Sequence, residues 1–186
     1  MHESVERILA AIAALPDEAR AELFGRLAGE TGFTSPSQSP LPLQATPAEF
    51  QGLADFTIVF DGGSQGNPGP GYGSYALTPA GDGKHNLVRL DFGRTMTNNE
   101  AEYETLIAAL QGLAERVEAV GGSASDLSIE IRGDSALVVH QVEGTWKTKD
   151  DRMRLLRNRV RDLLRRFKAH RLVLQGREAS VRVLGH

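Results

Sequence analysis

The sequence predicts an α/β fold: a mixed five-stranded sheet flanked by helices, with a helical hairpin extension at the N-terminus. Three observations predict it. Short segments of β-branched and aromatic residues alternate with segments of helical apolar spacing, in the order three strands, helix, strand, helices, strand. A Ser/Pro-rich stretch sets an amphipathic N-terminal piece apart from the rest. The 186 residues are 40% hydrophobic and 24% charged, which suits one ordinary core plus a small appendage.

In residues 1–33, Val5, Ile8, Leu9, Ile12 and Leu15 share one helix face. Pro16, Asp17 and Glu18 suit the first turn of a second helix with Leu23, Phe24 and Leu27 as its stripe, and Gly29 and Gly32 end it. A piece this short has no core of its own, so it is expected to pack on the main domain or on a second copy, as a homodimer. Residues 34–54 read as a linker, because each Pro in TSPSQSPLPLQAT removes a backbone donor. The main domain is expected over 55–186. Its first strand is 56–60, ending at Asp61. A Gly/Pro/Asn turn over 62–71 leads to strands 72–78 and 86–93, joined through Gly81 and Gly83. Residues 98–120 carry helical spacing through Leu106, Ile107, Leu110, Leu113 and Val117. A strand over 127–131 ends at Gly133 and Asp134. A short helix over 136–142, a long basic helix over 151–169 and a strand over 171–175 complete the order.

The composition excludes several chemistries. With no cysteine there is no disulfide scaffold, Cys-ligated zinc or cysteine nucleophile. No apolar run approaches the roughly 18 residues of a membrane helix, so no membrane partner is expected. Acids precede the N-terminal apolar stretch, unlike a signal peptide, and a cytoplasmic location is expected. The net charge of −3 hides a split. Residues 132–186 hold 14 Lys/Arg against 6 Asp/Glu, a net of +8, and the remainder is at −11. That asymmetry fits a polyanion-facing surface carrying Arg154, Arg157, Arg161, Arg165 and Lys168; it also fits a solvated, salt-bridged helix.

Three carboxylates stand where an α/β sheet gathers side chains: Asp61 and Asp134 at strand ends, and Glu102 in the first turns of a helix. Taken singly, each is also an ordinary cap or turn residue. Brought together they repel unless a cation neutralises them, and hard oxygen ligands suit Mg²⁺ or Mn²⁺. The Gly-rich turn is no P-loop, since it lacks the Gly-Lys-Ser/Thr ending and leads into a strand.

The flanking residues carry a resemblance. DGGSQGNPGPG at 61–71, TNNEAEY at 97–103, RGDS at 132–135 and Trp146-Lys147-Thr148 together resemble type 1 ribonuclease H, in its compact bacterial and archaeal form, over about two-thirds of the chain. The resemblance implies a ribonuclease H-like sheet and an endonuclease that cuts the RNA strand of RNA–DNA hybrids, leaving 5′-phosphate and 3′-hydroxyl ends. It implies Asp61, Glu102 and Asp134 as catalytic metal ligands for two Mg²⁺ ions about 4 Å apart, with Mn²⁺ as a possible substitute. It implies Gly66, Asn67 and Asn99 near the RNA strand, where amides sense the 2′-hydroxyl, and Trp146 and Lys147 on the nucleic-acid surface.

The C-terminus departs from that pattern. Ser180 and Leu184 occupy the positions of the family's Asn and of its fourth acid, and the chain stops two residues later, so the family's final helix is expected to be missing. Glu178 is the candidate replacement metal ligand, with His186 and its carboxylate behind it; the alternative is that neither reaches a metal. A missing helix exposes apolar sheet surface, which the N-terminal hairpin is a candidate to cover. Two rival functions follow: a hybrid or duplex-RNA binding protein that hydrolyses weakly, and an assembly module working through the hairpin.

Overall fold

The computed structural model describes residues 52–185. The hairpin, the homodimer expected through it, most of the linker and His186 lie outside the described residues. The elements run β1 (Phe56–Ser64), β2 (Gly69–Pro79), β3 (Asn86–Met96), α1 (Asn98–Ala119), a 3₁₀ turn (Ala124–Asp126), β4 (Ser128–Gly133), α2 (Ala136–Glu143), α3 (Asp151–Leu164), β5 (Ala169–Leu174) and α4 (Arg177–Leu184). The sheet order is β3-β2-β1-β4-β5. Strands β1, β2 and β3 pair antiparallel as a meander, while β4 and β5 add parallel to β1 after helical crossovers. The mixed five-stranded sheet is the one the order of elements in the sequence predicts.

Side chains alternate between the two faces. Ile58, Phe60, Tyr75, Leu77, Ile129 and Ile131 pack under α1 and α3 through Leu106, Leu110, Leu113, Val160 and Leu164. Val59 and Ala76 lie on the opposite face under Leu184 of α4. Thr97 and Glu100 close a capping box at the start of α1, satisfying two backbone donors.

Three expectations are corrected. Strand β1 does not end at Asp61; it continues to Ser64, because Gly62 and Gly63 pair with Gly73 and Tyr72 of β2. Helix α3 ends at Leu164 rather than at 169. Phe167 turns inward, and the Lys168 amide donates to the Leu127 carbonyl, which starts the parallel pairing of β5 with β4.

The third correction is the final helix, which is present. Residues Arg177–Leu184 form two turns, closed by Gly185 in the left-handed conformation with its amide donating to Val181 at 2.7 Å. Ser180 and Leu184, one turn apart, are its buried residues. Two turns suffice to bring one Leu over the sheet, so the short C-terminus does not leave that part of the face bare. Burying a side chain of this size contributes about 1.5–3 kcal/mol.

Candidate active site

The β1–β4 pairing brings two acids side by side. Val59 pairs in parallel with Arg132. Two residues further along each chain stand Asp61, within β1, and Asp134, immediately after β4. The third acid arrives on α1, which lies unusually close to β1. A Cβ on Gly62 would sit 2.5 Å from the Ala101 carbonyl and 2.6 Å from the Glu102 amide nitrogen. Only glycine permits that approach. Gly73 of β2 repeats the device, since a Cβ there would lie 1.9 Å from Thr105 Oγ1.

Asp61, Glu102 and Asp134 thereby each offer a carboxylate oxygen within 4.8 Å of the others. Asp61 is buried, and the other two are partly buried. Glu102 Oε2 and Asp134 Oδ2 are buried without a hydrogen-bond partner. Burial, and then the charges of Asp61 and Asp134, push the Glu102 carboxyl up to about 8; Arg177 acts in the opposite sense. Arg177 Nη1 stands 3.7 Å from Asp134 Oδ2, too far for a hydrogen bond. Three converging, mutually repelling hard-oxygen groups, with Glu102 Oε2 and Asp134 Oδ2 lacking donors, fit a divalent cation.

The candidate substrate residues lie on the β1–β2 turn, at the start of α1 and on the α2–α3 connection. Gly66 and Asn67 form the exposed β1–β2 turn, with Gly66 at φ +94°. The Asn98 amide donates to Asn67 Oδ1 at 3.2 Å, and Asn98 Oδ1 accepts from both the Ser64 amide and the Ser64 hydroxyl. Asn98, which the sequence reading left without a role, thus ties the turn to the start of α1. Its signal was its place directly after the capping Thr97. Asn67 and Asn99 line a cavity of about 260 Å³ with Thr97, Glu100, Asp150 and Arg152. Trp146 and Lys147 lie exposed on the α2–α3 connection.

Glu178 is exposed in the first turn of α4 and is not among the three residues whose oxygens converge. Leu184 is fully buried against Val59 and Ala76. Ser180 is buried and accepts from Gln175 Nε2 at 3.0 Å.

The basic helix divides its charges. Arg161 turns inward and donates to the Val142 and Gln141 carbonyls at 2.8 and 3.3 Å, capping the end of α2. Arg154 pairs with Asp151 and Arg165 with Asp162. Arg166 pairs with Glu118, and Arg152 with Glu100. Much of the positive count is therefore held in ion pairs.

Comparison with known proteins places this arrangement. The chain is 44% identical over 108 residues to ribonuclease HI of Halobacterium salinarum, a match covering 58% of this chain and 50% of that protein. It is 42% identical over 97 residues to the bifunctional protein Rv2228c of Mycobacterium tuberculosis, covering 50% of this chain and 23% of that protein. The match thus spans half or less of the length of these curated relatives. The crystal structure of the Halobacterium salinarum ribonuclease H1 superposes with a TM-score of 0.59 at 38% identity, covering 69% of this chain and 90% of that one. LC11 ribonuclease H1, solved in complex with an RNA/DNA hybrid, superposes with a TM-score of 0.61 at 30% identity, covering 69% of this chain and 90% of that one. The fold is that of ribonuclease H1. With the reverse transcriptase-like family model matching residues 60–183, across the sheet and all three converging acids, the chain belongs to that family.

Proposed function

We propose that the chain is a ribonuclease H: a metal-dependent endonuclease that hydrolyses the RNA strand of RNA–DNA hybrids, leaving 5′-phosphate and 3′-hydroxyl ends. The convergence of Asp61, Glu102 and Asp134, with two of their oxygens buried and without donors, carries this reading. The family and the hybrid-bound LC11 relative support the substrate. When bound, two Mg²⁺ ions, or Mn²⁺ in their place, supply an acidified water and a Lewis acid for the departing 3′ oxygen.

The chain's own residues prepare that chemistry. Asp61, buried on the central strand, would be the ligand shared by both ions, with Glu102 and Asp134 completing opposite sides. A divalent cation held by these three carboxylates would offset their mutual repulsion and would favour the ionised, proton-free form of Glu102. Arg177 adds a positive charge at the rim. Gly66, Asn67 and Asn99 present backbone and amide groups suited to a 2′-hydroxyl, and Trp146 and Lys147 offer a ring and a charge to the nucleic-acid backbone.

The test is cleavage of an end-labelled hybrid in Mg²⁺ and then Mn²⁺, with Asp61→Asn beside the wild type. The amide removes the charge at the centre of the group. Loss of about 10²-fold or more is expected, with an unchanged or higher melting temperature because a repelling charge is gone. Near wild-type cleavage by the Asn variant would show the site to be misassigned. One observation favours the second reading, a binding protein that hydrolyses weakly: Leu184 is buried at the fourth acid's position. A wild-type chain that binds hybrid but cleaves it with neither metal would decide for that reading.

A further inference from the structure

A buried polar chain links the helix that carries Glu102 to the exposed segment that carries Trp146 and Lys147. Tyr103, next to Glu102 on α1, is fully buried. Its hydroxyl donates to Gln141 Oε1 on α2 at 2.8 Å. Gln141 is itself 7% exposed, and its Nε2 donates to the Lys147 carbonyl at 3.5 Å. The direction of the chain follows from chemistry. A carbonyl only accepts, so the amide nitrogen must face Lys147 and the amide oxygen must face Tyr103.

The segment beyond α2 depends on such ties. Gly144 takes the left-handed conformation at the end of α2. The Trp146 amide and the Thr145 hydroxyl both donate to the His140 carbonyl at 3.1 Å, and the Trp146 and His140 rings meet at a 32° tilt with centroids 4.7 Å apart. Past Trp146, Gln141 holds the Lys147 carbonyl, and Arg157 donates to Thr148 Oγ1 at 3.3 Å. The Tyr103–Gln141 pair thus sets the distance between the turn of α1 bearing Glu102 and the backbone of Lys147.

We propose that Tyr103 and Gln141 are positioning residues for the nucleic acid: they hold Trp146 and Lys147 in register with the carboxylate group and raise affinity for the hybrid without touching it. The inference rests on the ribonuclease H reading. A duplex that must meet the acids and the Trp146–Lys147 segment together gains affinity only if their separation is fixed before binding.

Trp146 is the only tryptophan of the chain, so its fluorescence reports on this segment independently of cleavage. The experiment compares wild type, Tyr103→Phe and Gln141→Met, with Ile129→Val as a core control in β4. Acrylamide quenching of Trp146, binding of a labelled hybrid in Ca²⁺, and KM and kcat in Mg²⁺ are measured for each. Both strut variants are expected to quench more readily and to raise Kd and KM about fivefold, the scale of one lost hydrogen bond, with kcat within about twofold of wild type. The control is expected to leave quenching and KM unchanged. If Tyr103→Phe does not fold, Gln141→Met decides alone. Unchanged quenching, or altered quenching with unchanged Kd and KM, overturns the proposal. A wild-type chain that neither binds nor cleaves hybrid instead overturns the ribonuclease H reading, and this inference with it.

Discussion

Replacing Gly62 by Ala tests how the site is assembled rather than which groups fill it. The added methyl would sit 2.5 Å from Ala101 C and O, where ordinary contact begins at 3.4 Å, so α1 must retreat from β1 by about 0.9 Å. The opposing atoms are backbone, and no side-chain rotation relieves them. Glu102 rides on the displaced turn while Asp61 stays on the sheet. Misplacement of a reacting group by about 1 Å costs on the order of 10²-fold in rate. Overpacking of this kind costs about 1–3 kcal/mol, or a melting temperature roughly 4–12 °C lower. Single-turnover cleavage of a hybrid and thermal unfolding, run on the same preparation, check both numbers. A Gly62→Ala protein with wild-type rate and wild-type melting temperature would refute the reasoning, since α1 would then not need the glycine to deliver Glu102. The contrast with Asp61→Asn sharpens the result, because that change is expected to lose rate without losing stability.

Three further outcomes follow from the same geometry. Glu102 is held at about 8 in the folded chain against 4.5 when unfolded, so between those values the native state binds the extra proton and stability falls as pH rises; in EDTA the wild type should lose melting temperature from pH 5 to 8 relative to Glu102→Gln, and saturating divalent cation should flatten that difference. Leu184→Ala should cost about 2–5 kcal/mol in denaturant unfolding, because a fully buried side chain leaves a cavity over Val59 and Ala76; a cost near zero would mean that α4 is not packed on the sheet. Glu178→Gln should change the cleavage rate by less than about threefold, since the residue is exposed and apart from the converging oxygens; a loss as large as that of Asp61→Asn would make Glu178 a ligand.

Much of this protein was legible in the sequence because its signals are local. Runs of β-branched and apolar residues in 56–60 and 127–131 marked central strands, whose Ile58, Phe60, Ile129 and Ile131 join the main core, and the Leu106 to Leu113 stripe marked the helix that covers them. Asp61, Glu102 and Asp134 were recognisable because each sits in a motif whose neighbours, such as Gly62 and the Thr97 capping box, have their own structural reasons. The tertiary structure alone decided what depends on contacts remote in sequence. Residues 177–184 carry too little pattern to declare a helix, and its helical state shows only where Leu184 meets Val59 and Ala76. The basic count of α3 did not reveal that Arg161 spends its donors on α2 carbonyls, a partnership twenty residues distant. Nor does any local signal join Tyr103 to Gln141 and Lys147. Short-range periodicity fixes which face of an element is apolar, but a hydrogen bond between side chains 38 positions apart exists only once packing has set the distance between the helices that bear them.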